Sequence, residues 1–198
     1  DIDSKTRWWL YGRYNLAVAM YKSGQQAEAL SILETLAEMR VDDDETRNLK
    51  DKANLVLAFD LLNNDKPVEA EAVFRRMRLQ GPHSNAALLG LGRAYAAQGR
   101  HKESLVPWLE LIERNPADPA VQDALMALPS AFGELKAFKQ ALQYYDKALQ
   151  TFQAEIGRIN SAAEAIAGGR LSEGLIRART GEQAAGVWTV KNVLDTPE

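Results

Sequence analysis

Apolar residues recur along this chain in short bursts at helical spacing, and each burst ends at a glycine, an aspartate or a proline. The clearest stretch is NAALLGLGRAYAAQGRHKESLVPWLELIERNP, from Asn85. Leu88, Leu91, Gly92 and Tyr95 fall on one face of a first helix. Gly99 follows where that helix should stop, and glycine suits the left-handed residue that closes a helix. Ser104, Trp108 and Leu111 then share one face of a second helix. Pro116 ends it, and Asp118-Pro119 reads as a cap and first turn opening the next helix.

The same skeleton recurs elsewhere. Upstream, Leu16-Ala17 stand where Leu91-Gly92 stand, Met20 takes the place of Tyr95, Gly24 closes the helix, and Ala29, Leu33 and Leu36 line a second helix. Next come Leu57-Ala58 and Leu61, Asp65 at the turn, then Ala70, Phe74 and Met77, with Pro82 at the exit. Downstream, Leu125, Leu128 and Phe132 precede AFKQALQYYDKAL, in which Ala141, Tyr145 and Ala148 fill the second-helix places. Four units therefore start near residues 10, 51, 85 and 122, at intervals of 41, 34 and 37. We assign them to residues 10–43, 51–84, 85–118 and 122–154. The longest interval contains RVDDDETRN, whose acidic run sits where a helix starts and complements the helix dipole. A calcium loop is the poorer reading, because the EF-hand spacing and its glycine are missing.

Two prolines disturb the pattern. Pro129 stands where Gly92 stands in the third unit, and a proline inside a helix costs about 3 kcal/mol if uncompensated. The first helix of the fourth unit is thus expected to be bent, split or late-starting. Pro107 lies just past the first turn of its helix and should be tolerated with some distortion. Beyond residue 150 the match fades. The helix is expected to run on to about Ala167, weakened at Gly157 and broken at Gly168-Gly169. A shorter helix, a turn at Gly181 and a helix carrying Val187, Val190 and Leu194 would follow. Residues 155–198 are therefore read as a helical extension or a degenerate fifth unit, set apart from the repeats of residues 1–154. Thr196-Pro197-Glu198 looks like the start of a further helix, as expected of a fragment of a longer array.

This spacing resembles the tetratricopeptide repeat, a helix–turn–helix unit of about 34 residues with a W-x2-L-G-x2-Y…A-x3-F…P signature. The resemblance implies an all-α solenoid of helical hairpins, wound as a right-handed superhelix, whose first helices line a concave groove. Carried onto this sequence, the groove takes Tyr11, Tyr14, Val18 and Tyr21 from the first unit and Leu55, Phe59 and Leu62 from the second. Leu89 and Arg93 come from the third, and Met126 and Ser130 from the fourth. Large residues such as Phe74, Tyr95, Trp108 and Tyr145 are then packing residues, with small Ala17, Ala58, Gly92, Ala141 and Ala148 letting helices approach. One hairpin cannot bury its own stripe, so stacking is what makes the array stable.

Composition narrows the function. With 46% apolar and 26% charged residues and a net charge of -3, the chain is not a basic surface for nucleic acid or anionic membrane. No apolar run reaches the roughly 18 residues of a membrane span. Cysteine is absent, which removes disulfides, thiol catalysis and cysteine-based metal sites. His83 and His101 fall in a loop and a turn as surface residues, and no zinc-protease, phosphate-loop or serine-hydrolase motif is present. The expectation is a non-enzymatic protein with no cofactor and no metal.

Two functions compete. In the first, the chain is a scaffold or adaptor that takes a partner helix or peptide in an apolar groove, with Arg93 as polar selector. In the second, it is a structural or assembly segment of a larger machine, such as a bacterial envelope or secretion component, with the groove filled by its own chain. The stretch WWLYGRYNLAVAMY is apolar nearly all round, so more than one face is expected to be buried, self-association through it included. A clamp for a C-terminal carboxylate is disfavoured, since Tyr14 and Val18 stand where such a clamp would need polar residues.

Overall fold

The computed structural model describes residues 7–40 and 43–168. Among them are eight α-helices and no strand: α1 (Arg7–Lys22), α2 (Gln26–Glu38), α3 (Asp44–Asn63), α4 (Pro67–Phe74), α5 (Ser84–Ala97), α6 (His101–Leu111), α7 (Pro119–Glu134) and α8 (Phe138–Ala167). They pair as four hairpins, α1–α2, α3–α4, α5–α6 and α7–α8, and each second helix also packs against the next first helix. The degenerate fifth unit expected after Gly168 lies outside the described residues.

The four hairpin turns are copies of one another. Gly24, Asp65, Gly99 and Lys136 all have positive φ, between 55° and 87°. At each turn the next residue's amide donates back to the carbonyl five residues earlier: Gln25 to Met20, Lys66 to Leu61, Arg100 to Tyr95 and Ala137 to Phe132, all at 2.9 Å. This is the Schellman closure, which satisfies carbonyls that a helix end leaves orphaned. The spacing of these turns, 41, 34 and 37 residues, reproduces the repeat intervals read from the apolar pattern.

Packing follows the same register. Ala17, Ala58, Gly92 and Pro129 are buried, as are Ala29, Ala70, Ser104 and Ala141 across from them. Leu33, Phe74 and Trp108 fill the space between, and two apolar clusters result, one over α1–α4 and one over α6–α8, both reaching into α5. Asp43 caps α3, its carboxylate accepting from the Thr46 amide at 2.9 Å and hydroxyl at 2.7 Å. Those two bonds hold its pKa below the usual carboxylate value.

Four expectations need correction. α7 runs unbroken through Pro129, which is fully buried, so the helix is neither split nor late-starting. Pro129 takes the place of a small residue because a proline, like glycine, presents no long side chain to the facing helix. Leu16, expected to pack, is exposed. Tyr145 is 48% exposed where Phe74 and Trp108 are buried, because no described helix follows α8. On α1 only Leu10, Tyr14 and Ala17 are buried, and Trp8 is 67% exposed, so the apolar stretch hides one face and not several.

One buried group is misplaced energetically. Asn54 sits where Leu88 and Leu125 sit in later units; its Nδ2 donates to the Lys50 carbonyl at 3.1 Å, but its buried Oδ1 has no partner. An unmade buried hydrogen bond costs about 1–3 kcal/mol. Asn54→Leu is therefore expected to raise the stability of the chain by about 1 kcal/mol, seen as a higher denaturation midpoint. A lower midpoint would show that the amide is satisfied.

Candidate protein-binding face

The first helices lie side by side, α1 on α3, α3 on α5 and α5 on α7. On α5, Gly92 faces Trp108 of α6 and Gly90 faces Phe74 of α4. At about 100° per residue, Gly90 and Gly92 point about 160° apart, and Leu89, Arg93 and Ala96 fall together in the arc between them. Counted back from the turn residues, Tyr14, Val18 and Tyr21 hold those positions in α1, Leu55, Phe59 and Leu62 in α3, and Met126, Ser130 and Gly133 in α7. Tyr11 stands one turn earlier on the same side of α1.

The structure places these residues unequally. Tyr14 is 7% exposed and Leu89 6%, so both belong to the core and not to an open lining. Their assignment to the groove is corrected: neighbouring first helices approach closely enough to bury the central position. Tyr11, Val18, Tyr21, Leu55, Phe59 and Leu62 are half-buried, while Arg93, Met126 and Ser130 are exposed. Phe59 is divided between surface and core, with its ring 5.2 Å from that of Phe74 in an edge-on contact.

The face also has a polar frame that the apolar pattern did not reveal. Tyr11 donates its hydroxyl to Glu45 at 3.0 Å, and Tyr21 donates to Asp60 at 3.0 Å. Burial and the Glu45 bond raise the pKa of Tyr11; the Asp60 bond chiefly raises that of Tyr21. The Lys52 ammonium stands 5.3 Å from the centre of the Tyr14 ring, a cation–π contact. Arg93 forms an ion pair with Asp123 at 2.8 Å, bridging α5 to α7. Each partner lies at least 30 residues away, beyond the reach of helical periodicity. The available signal was the offset itself, since Asp123 and Lys52 occupy matching places in their units.

Adjoining this face at Asp60, a cleft of about 220 Å³ between α2, α3 and α4 is lined by Leu30, Glu34, Leu57, Asp60 and Arg76. That is below the usual 300–1,000 Å³ of small-molecule sites. His83 and His101 are half-buried and far apart on the fold; burial, with Lys52 nearby, holds His83 below its ordinary pKa. Among the described residues no helix is long and apolar enough to cross a membrane.

A stack of helical hairpins with one continuous face along its first helices is the architecture of an all-α protein-interaction repeat scaffold. Family profiles for the tetratricopeptide repeat match residues 11–39 and 55–120. The chain belongs to the tetratricopeptide repeat family. No curated protein matches it. Among solved structures it is similar to the nearly identical TPR-like repeats of a putative kinesin light chain from Podosopora anserina, at 20% identity over 78% of this chain and 80% of that one, with a TM-score of 0.58. A point variant of the same repeats is 19% identical over 79% of this chain and 80% of its own, with a TM-score of 0.59. The TPR domain of Arabidopsis FLU is 21% identical over 55% of this chain and 98% of its own, with a TM-score of 0.49. The likeness to the kinesin light chain repeats shows a shared fold.

Proposed function

We propose that the chain is a non-enzymatic scaffold that holds an amphipathic helix or extended peptide of a protein partner along the face of α1, α3, α5 and α7. The observation that carries this reading is that no described element packs across that face, although it presents Leu55, Phe59, Leu62 and Met126 to solvent in whole or part. Apolar residues left half-covered in a row across several helices are typical of an interaction site. Tyr11, Val18 and Tyr21 extend the row at one end. Arg93 selects for a partner with its own charged pair, because a ligand carboxylate must compete with Asp123 for the guanidinium. That exposed pair contributes about 0–1 kcal/mol, so it opens at little cost.

The test is a peptide display selection against the folded chain, followed by affinity measurement on variants. Leu62→Glu and Met126→Glu should each weaken selected peptides by about tenfold or more, while Val68→Glu, on the exposed side of α4, should leave them unchanged. Equal binding to all three variants, with helical circular dichroism intact, would remove the face from consideration.

A further inference from the structure

The largest exposed apolar feature lies at the other end of the stack. α8 has 30 residues, against 13, 8 and 11 in α2, α4 and α6, so it is about 45 Å long. Leu142, Tyr145, Leu149, Phe152, Ile156 and Ile159 follow one another at alternating spacings of three and four. Phe138 precedes them, and Ala163 and Ile166 continue the pattern. This is an unbroken heptad seam of nine positions, a period of 3.5 residues. Its large side chains are 48–68% exposed, apart from the half-buried Phe152.

We propose that this seam pairs α8 with the α8 of a second copy of the chain, as an antiparallel two-helix coiled coil. The proposal is independent of the peptide-binding face. Four observations support it. First, a strict 3.5 period over four heptads is what two helices need to stay in contact as they supercoil. The stacking of hairpins sets no such demand: α4, only eight residues long, packs on the following hairpin with Phe74 seated against Gly90. Second, the area is sufficient. The exposed seam residues present roughly 100 Å² each, about 700 Å² per copy, close to the ~800 Å² per partner of a stable interface. It also exceeds the ~300–600 Å² of the largest apolar patch on a typical monomer.

Third, the seam lies beside the intramolecular contact and meets it at Phe152, which packs against the cluster over α6–α8. Ala141, Ala148, Glu155 and Ala162, seven residues apart, form a buried stripe on one flank. The other flank carries Lys139, Asp146, Gln153 and Asn160, one charge of each sign and two amides, so a second copy meets no like-charge barrier. Fourth, a helix that follows the whole seam must carry a heptad of similar length. The residues that follow α8 contain Gly169, Gly174, Gly181 and Gly186, each costing about 1 kcal/mol inside a helix, and carry no heptad of this length. A second α8 matches the seam by identity. The antiparallel sense follows from α7, whose 16 residues cover only about half of α8 from its N-terminal end. Antiparallel pairing puts the two hairpin stacks at opposite ends of the seam; parallel pairing would crowd them at one end.

Sedimentation equilibrium of the full 198-residue chain tests this. The expected mass is that of two 21.9 kDa chains. Ile156→Glu combined with Ile159→Glu should weaken dimerisation about a hundredfold with helical circular dichroism unchanged, since both side chains are exposed. Trp8→Glu, on the exposed side of α1, should leave the dimer intact. Because the chain has no cysteine, Gln153→Cys near the seam centre reports orientation cleanly. It should form a disulfide between copies, whereas Lys139→Cys near one end should not. A monomeric wild type, as when the chain's own later residues cover the seam, overturns the proposal. So does a dimer that survives the double substitution or is lost with Trp8→Glu. Cross-linking at Lys139→Cys and not at Gln153→Cys overturns the antiparallel arrangement.

Discussion

Gly92→Ala is expected to destabilise the chain by about 2 kcal/mol, against the usual direction of a glycine-to-alanine change in a helix. In an open helical position alanine is preferred by about 1 kcal/mol. Here a Cβ would fall on the indole of Trp108, against three of its ring atoms. The ring has no free space to enter: Trp108 is 4% exposed and its Nε1–H donates to the Leu89 carbonyl at 3.2 Å. Relief requires α5 and α6 to separate or the indole to rotate and lose that bond. Overpacking of this kind costs about 1–3 kcal/mol, and a buried hydrogen-bond loss adds about 1–3 kcal/mol, which together outweigh the propensity gain. Gly90→Ala should behave alike, since its Cβ would meet the ring of Phe74. Gly12→Ala supplies the opposite sign. Nothing stands within 4 Å of its Cβ position, so that variant should gain up to about 1 kcal/mol. Denaturant midpoints of the three variants measure the contrast, and a Gly92→Ala protein as stable as Gly12→Ala would refute the tight approach of α5 to α6.

The same helix shows how far the sequence could be read. The repeat was legible because its constraints are local: a residue of positive φ closes each hairpin, and small residues recur at fixed distance before it. Gly92 was recognisable on that count. Gly90 was not, because it answers to Phe74, a residue of the preceding hairpin, and belongs to no within-unit spacing. Asp65 was placed at a turn without the usual glycine, while Lys136 was not singled out, since a lysine at positive φ has no sequence signature. The face of the first helices was legible as a register and only partly as a surface. Whether a residue in that register is covered depends on how closely adjacent helices approach. Tyr14 and Leu89 are buried for that reason, and Met126, at the same position in α7, is 51% exposed. Polar partners such as Glu45 for Tyr11 and Asp123 for Arg93 depend on contacts between units, which periodicity within a unit cannot supply.

Arg78→Met is expected to cost about 2–3 kcal/mol, an effect that arises from the charge it leaves behind more than from the bonds it removes. Asp44, Asn48 and Asp51 lie on one stripe of α3, at spacings of four and three, and the Arg78 guanidinium reaches all three from the segment after α4. Its Nε donates to Asp51 at 2.7 Å, one Nη group to Asn48 at 2.5 Å and the other to Asp44 at 3.5 Å. Asp51 is the costly member: its side chain is 10% exposed, and Arg78 is its only ion-pair partner among the described residues. Removing one partner of a fully buried pair costs about 3–5 kcal/mol, reduced here because Arg78 is 32% exposed and solvent reaches part of the site. Methionine keeps the length of the aliphatic stem, so the loss is electrostatic. Arg78→Lys should be intermediate, because an ammonium is a single point charge and cannot span Asn48 and Asp51 as the planar guanidinium does. Combining Arg78→Met with Asp51→Leu should recover most of the stability, since replacing both partners with apolar groups removes the stranded carboxylate. In a stack whose units support their neighbours, the second hairpin bridges the first to the third. The single substitution should therefore lower the unfolding midpoint of the whole array. A double-mutant cycle in urea with no coupling between positions 51 and 78 would show that the pair contributes nothing to the second hairpin.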